Sequence, residues 1–307
     1  MNWLAVIVFA FLGIALARWF RENERKRVKN GDWSRATAME VATVLWREYF
    51  RGVVEPELLH RATKLPPPRF FRGLVINQLI NLDVAAGRYR EALEWRGRWN
   101  WKKRRFGFDD DVLRLNEAEA LACLGRLDEA LSWAPADASR SGYSLLIAGL
   151  AAHRAWVLAE LGRVDEARRE LTAWAPWAGA LAVYEAEWHL SSFAVELAAK
   201  NFDAAEAALV SAERIAQRES SKRNVHFSRG RLFCARGAFA EALPHFERGA
   251  ASAYRWQGGA ALLDWGDALQ QLGRVGEARE AWQRCVERDG QSPHAATARD
   301  RLQQFVA

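Results

Sequence analysis

The stretch around residue 100 carries unusual side-chain chemistry, because basic and aromatic residues alternate within it. Guanidinium and ammonium groups bind phosphates, and neighbouring indole rings can stack on bases or enter a lipid interface. The residues concerned, called here the basic–aromatic segment, are Arg98, Trp99, Trp101, Lys102, Lys103, Arg104 and Arg105. Four interpretations stay open: a helix end with solvated charges, contact with an anionic membrane surface, contact with an acidic protein, or nucleic-acid binding, with the membrane favoured over nucleic acid.

The short motifs on which catalytic sites depend are missing from the sequence. It contains no G-x-S-x-G, H-E-x-x-H or phosphate-binding glycine-rich loop. Its three cysteines lie far apart and its six histidines are scattered, so the ligand spacing of a structural zinc site is not met. We therefore expect a binding protein that is not an enzyme and that needs no metal and no cofactor.

The beginning of the chain has the features of a membrane-targeting segment. Residues 3–20 are apolar apart from Arg18, with Trp3 and Trp19 near the two ends, which predicts a transmembrane anchor. Residues 21–32 are rich in arginine and lysine, and positive charge after the span predicts a body on the cytoplasmic side of the inner membrane. The alternative is a signal peptide cleaved after Ala17, which is disfavoured because no basic residue precedes the apolar run.

The rest of the chain contains a sequence repeat. Glycine-containing segments of the type Gly-Arg-Val-Asp-Glu-Ala recur with spacings of 38, 37, 38, 37 and 36 residues. They begin at Gly87, Gly125, Gly162, Lys200, Gly237 and Gly273. Glycine, which begins every segment except the one at Lys200, suits the end of one helix. The acidic residue within each segment suits the first turn of the next helix. The pattern predicts six helical hairpins in series.

The last two repeats carry a further pattern of small and aromatic residues. The sixth has Gly266, Gly273, Ala278 and Trp282, and the fifth has the equivalent Gly230, Gly237, Ala242 and Phe246. This pattern resembles the tetratricopeptide repeat (TPR) family. The resemblance implies an all-α fold, a right-handed α-solenoid of about six TPR-like helix pairs, preceded here by the N-terminal transmembrane helix.

The resulting organisation has five parts. We predict an anchor at 3–20, a basic linker at 21–32, an N-terminal helical cap at 33–64, a TPR-like solenoid at 69–291 and a C-terminal capping helix at 292–307. Pro66 to Pro68 separate the cap from the solenoid, because consecutive prolines end a helix.

The TPR resemblance also implies a peptide-binding groove, formed by the first helix of every repeat. The family's groove positions fall 13, 10, 9 and 6 residues before the turn glycine. The polar and aromatic residues favoured there are Asn77, Asn81, Asn116, Glu119, His153, Trp156 and Arg231. Modules that clamp a peptide carboxylate have cations where this chain has Asn77, Gly149 and His153, so the resemblance does not extend to a carboxylate clamp and leaves a neutral or weakly charged peptide open.

These features together predict a membrane-tethered scaffold that assembles partner proteins or peptides on its concave surface. A cleaved, secreted or periplasmic TPR adaptor is the alternative, followed by a regulatory TPR protein that binds nucleic acid through the basic–aromatic segment.

Overall fold

The computed structural model describes residues 72–98, 108–134, 144–176, 182–252 and 254–304, and the regular structure of these residues is helical. The helices are α1 (Arg72–Ala85), α2 (Tyr89–Arg98), α3 (Phe108–Cys123), α4 (Leu127–Trp133), α5 (Ser144–Glu160), α6 (Val164–Trp174), α7 (Ala182–Ala198), α8 (Phe202–Ile215), α9 (Glu219–Ala235), α10 (Phe239–Ala250), α11 (Arg255–Gln271), α12 (Val275–Arg288) and α13 (Pro293–Gln304). Contacts divide the chain into units 1–79 and 80–307, and of the first unit only residues 72–79 are described.

Six turns join the helices into pairs at the positions where the repeat predicts them. The residue at each predicted glycine position has a positive φ, the left-handed conformation that glycine adopts without steric cost. The angles are 74° at Gly87, 76° at Gly125, 73° at Gly162, 58° at Lys200, 77° at Gly237 and 73° at Gly273. The all-α helical-repeat fold is thus confirmed, and Lys200 takes the glycine conformation in spite of its side chain.

Backbone and side-chain hydrogen bonds explain why Gly-Arg-x-x-Glu recurs at these turns. The residue after the glycine donates its N–H five residues back, as from Arg163 to the Leu158 carbonyl at 2.8 Å, which caps the first helix. The Arg163 guanidinium also pairs with both oxygens of Glu166 at 2.7 Å. The same exposed pair forms twice more, between Arg126 and Glu129 and between Arg274 and Glu277.

Small residues on first helices let aromatic rings of second helices approach closely. A Cβ atom placed on Gly230 would lie 2.6 Å from Cε1 of Phe246, and Gly266 lies equally tightly against Trp282. Both rings are completely buried. The small-to-aromatic pattern in the sequence is therefore the packing contact within each of the last two helix pairs.

The first and last repeats meet inside the second unit, although about 200 residues separate them. The Tyr89 hydroxyl at the start of α2 donates to Oδ1 of Asp289, after α12, at 2.9 Å, and both residues are buried. The Gln291 side chain accepts from the Arg90 N–H and donates to Glu91, each at 3.3 Å. The repeats consequently close on themselves, and α13 packs over the end of α12 as the last helix.

The membrane prediction concerns residues that the structure does not describe. Among the helices of the described ranges, none has both the length and the hydropathy needed to cross a bilayer. The predicted anchor at 3–20, the linker at 21–32 and the helical cap at 33–64 all lie outside the described residues.

Candidate binding site inside the repeats

Side chains from first helices and from the last helix face a common interior. We call this set the interior surface: Glu119 on α3, His153, Trp156 and Glu160 on α5, Glu187 on α7, Arg231 on α9, Trp256 and Asp264 on α11, and His294 on α13. Their contacts join helices that are not neighbours along the chain, which happens only where side chains meet across the concave side of the solenoid.

Aromatic rings form the first of these cross-contacts. The indoles of Trp156 and Trp256 meet edge to face with centroids 5.2 Å apart, which joins repeat three to repeat six. His153 lies 5.6 Å from Trp156, and His294 lies 5.0 Å from Trp256. Edge-to-face packing of this kind is a favourable aromatic geometry. The four rings thus line one continuous part of the interior surface.

An ion-pair bridge forms the second cross-contact. The Arg231 guanidinium lies 3.6 Å from an oxygen of Glu160 and 3.8 Å from an oxygen of Asp264, so it joins α5, α9 and α11. Its side chain is 35% exposed and those of the two acids 34% and 33%, which shows that the bridge is in contact with solvent.

Several polar side chains of the interior surface are surrounded by protein and still reach solvent. Glu119, His153, Glu187 and Asp264 are each densely surrounded by protein atoms, yet each residue stays partly exposed. This combination is expected of side chains on a concave surface and not of a packed core. Concave, partly apolar surfaces with a few polar groups are the usual form of a ligand site.

Burial shifts the pKa values of acidic and histidine side chains on the interior surface. Desolvation, followed by repulsion from Glu187, raises the pKa of Glu119 to about 7. Desolvation also raises the pKa of Asp264 to about 6, against the attraction of Arg231. It lowers the pKa of both His153 and His294 to about 4, so these imidazoles are neutral at pH 7. Their Nε2 atoms are shut off from solvent and have no hydrogen-bond partner among the described residues.

The predicted groove residues fall into two groups. Glu119, His153, Trp156 and Arg231 lie on the interior surface, where the repeat alignment puts them. Asn81 and Asn116 are buried, each with 8% of its surface exposed, so they offer a ligand little area. Asn77 is buried as well and falls in residues 72–79, the described part of the first unit.

Sequence reasoning put Glu187 and Asp264 at groove positions without selecting them, and it missed Trp256 and His294 altogether. Trp256 lies at the beginning of α11, before the family's groove positions, and His294 lies on the capping helix. Both join the interior only because the last repeat curves back towards repeat three. A repeat pattern gives the order of helices, but it does not give that curvature.

Metal ligands and reactive thiols are the other chemistry to consider among the described residues. No group of three or more histidine, cysteine, aspartate or glutamate side chains among them could hold a metal ion. Burial raises the pKa of the Cys234 and Cys285 thiols to about 12, so neither forms a thiolate near neutral pH. The basic–aromatic segment lies outside the described residues apart from Arg98, where α2 ends.

The fold and its interior place the chain in the class of all-α helical-repeat proteins with TPR-like helix pairs. A crystal structure of a Rap protein complexed with competence and sporulation factor is similar, with a TM-score of 0.60 and 12% identity, over 83% of this chain and 77% of that chain. The apo form of RapI is matched with a TM-score of 0.45 and 9% identity, over 88% and 82%. No protein-family model and no curated protein sequence matches.

Proposed function

We propose that this protein is a non-catalytic TPR-type scaffold that binds a peptide, or an extended segment of a partner protein, on its interior surface. The observation that supports the proposal is that side chains from six different helices lie together on the interior surface and reach solvent. A Rap protein of similar fold has been solved with competence and sporulation factor bound, which agrees with a ligand-binding use of such a fold.

Physical reasons favour the interior over the outer face. A surface fixed by surrounding helices loses little conformational freedom on binding, so more of the contact energy becomes affinity. Tryptophan is among the residues most often responsible for affinity at such surfaces, and Trp156 and Trp256 lie there together.

The test compares two tryptophan variants of the full-length chain. Partners are crosslinked and recovered from membranes with the wild type, with Trp156→Ala and with Trp133→Ala, whose indole is 42% exposed on α4. We expect Trp156→Ala to lose the partner and Trp133→Ala to retain it. The melting temperatures of both variants are measured to check that each chain is folded when partner recovery is compared. Equal recovery by both variants would place the binding surface elsewhere.

We also propose that residues 3–20 anchor the scaffold at the cytoplasmic face of the inner membrane. This part rests on the sequence, and its purpose would be to raise the local concentration of whatever the scaffold binds. A reporter that is active only outside the cytoplasm, fused after Ala307, should stay inactive. Strong reporter activity would favour the exported, cleaved form.

The basic–aromatic segment is proposed to contact the same anionic leaflet. In nanodiscs that contain brominated lipid, the full-length chain should lose more tryptophan fluorescence with anionic than with neutral lipid. A variant with Trp99→Phe and Trp101→Phe should lose that difference. If the difference persists in the variant, these tryptophans do not touch lipid.

A further inference from the structure

The interior surface already holds one cation of its own. Arg231 reaches across the concave side to Glu160 and Asp264, at 3.6 and 3.8 Å. Hydrogen-bonded ion pairs of arginine usually close to less than 3 Å, so this guanidinium is held loosely between its two acids. The same guanidinium lies 5.8 Å from the centroid of the Phe227 ring on its own helix. The interior therefore accommodates a planar cation without closing a short ion pair on it.

Among the described residues, the acidic side chains of the interior surface outnumber its cations. The interior surface includes four acidic side chains and one arginine, because Glu119 and Glu187 lie there in addition to the two acids of the bridge. Glu119 makes no hydrogen bond or ion pair with any described residue. Glu187 is attracted by Arg218 and, more weakly, receives one long hydrogen bond, 3.5 Å from the Ser221 hydroxyl.

Aromatic faces accompany these acids, together with two imidazoles whose Nε2 atoms have no partner among the described residues. The indoles of Trp156 and Trp256 lie together, and indole is the ring that attracts arginine and lysine most strongly. Beside them, Nε2 of His153 and Nε2 of His294 are withdrawn from solvent without a hydrogen-bond partner. Neutral imidazole can accept or donate one hydrogen bond there, which suits a peptide group.

We propose that the ligand of the interior surface is a peptide segment with arginine or lysine side chains, one of which takes the place of Arg231 among the carboxylates and indoles. The proposal rests on the proposed function and specifies its ligand. It differs from the neutral or weakly charged peptide that the TPR resemblance leaves open, because the resemblance considers the clamp positions and not the carboxylates that the curvature brings together. Arg231 is then an internal competitor of the ligand and not one of its contacts.

Opposite effects on affinity follow for two charge-removing variants. Glu119→Gln should weaken binding of a basic peptide by about tenfold or more, as removing one partner of a desolvated charge pair does. Arg231→Gln should strengthen it by about fivefold, because Glu160 and Asp264 are released for the ligand. If Arg231 bound an acidic ligand directly, Arg231→Gln would weaken binding instead. Glu280→Gln, an exposed site on α12, removes the same charge as Glu119→Gln and should change nothing.

The experiment begins with a random decapeptide library selected on the full-length chain, with the Trp156→Ala chain as counter-selection. The probe is the tightest selected peptide, together with a copy in which citrulline, the neutral isostere of arginine, or acetyl-lysine replaces each basic residue. Affinities of both peptides are measured by fluorescence anisotropy for the wild type and the three glutamate and arginine variants. A counter-selection with Trp256→Ala repeats the selection if Trp156→Ala melts too low to compare.

The outcomes separate the inference from the proposed function. Selected peptides that are rich in arginine or lysine, lose affinity on neutral replacement and respond to Glu119→Gln and Arg231→Gln in opposite directions support the inference. Peptides that depend on the tryptophans but tolerate neutral replacement overturn the inference and leave the proposed function standing. Absence of any tryptophan-dependent peptide overturns the proposed function itself.

Discussion

Removing the Glu119 carboxylate should make the folded protein more stable at high pH and leave it unchanged at low pH. Glu119 is held among protein atoms with no cation beside it in the described part of the chain, facing Glu187 from α7, the Tyr89 hydroxyl from α2 and the Cys123 thiol on its own helix. Its ionised form is therefore disfavoured in the fold but not in the unfolded chain. Glu119→Gln keeps the shape of the side chain and deletes the titration.

The size of the effect follows from the two pKa values. In the unfolded chain the pKa of a glutamate is 4.5, and in the fold that of Glu119 is about 7. Because the folded pKa is the higher one, the wild-type protein loses stability as the pH rises from 4.5 to about 7. The full linkage free energy above pH 7 is about 3 kcal/mol, and partial solvent contact of the side chain reduces the expected gain to about 1–3 kcal/mol.

Urea denaturation at pH 4, 5, 6, 7 and 8 measures this difference in the free energy of unfolding. The gain of Glu119→Gln over wild type should be near zero at pH 4 and should reach its plateau by pH 8. The exposed control Glu280→Gln should show no such trend. A gain that is the same at every pH, or a loss at pH 8, would refute the placement of this carboxylate in a desolvated interior.

Three further changes test the turns, the packing and the closure. Lys200→Gly should raise the free energy of unfolding by about 1 kcal/mol, because φ is 58° there, and thermal melting checks this. Gly230→Ala should lower the free energy of unfolding by about 1–3 kcal/mol, since the new Cβ would lie 2.6 Å from Phe246. Calorimetry measures this loss, and an unchanged value would show that the ring is able to move. Tyr89→Phe should cost about 1–3 kcal/mol by removing one donor from the buried Asp289 carboxylate, and equal urea midpoints for variant and wild type would contradict this closure.

The turns and helix pairs could be predicted from the sequence because their causes are local. A glycine at the end of a helix, an acid in the following turn and a small residue opposite an aromatic ring all act within about 20 residues. Lys200 is the instructive position: the turn forms there without its glycine because the helices on both sides pack normally, and Asn201 caps α8 through its own side chain.

The interior surface could be predicted only in part, because its contacts are not local. Alignment of the repeats put Glu119, His153, Trp156 and Arg231 on the concave side, where they lie. It treated Asn81 and Asn116 as open to a ligand, whereas each is buried in the closed array of repeats. Small rotations between neighbouring repeats accumulate into that closure, and no single residue type encodes them.

The hydrogen bond between Tyr89 and Asp289 has a consequence for how this chain folds. In an open solenoid, stability is a sum over neighbours, and the end repeats can fray independently. A contact that joins α2 to the end of α12 closes a loop of about 200 residues, whose ordering costs entropy that only the whole array of repeats can offset. Unfolding should then be more cooperative than in an open array of equal length, and folding should be slower because this native contact lies so far apart in sequence. A substitution that disrupts α13 should therefore also destabilise α2, which lies at the other end of the repeat array in the sequence.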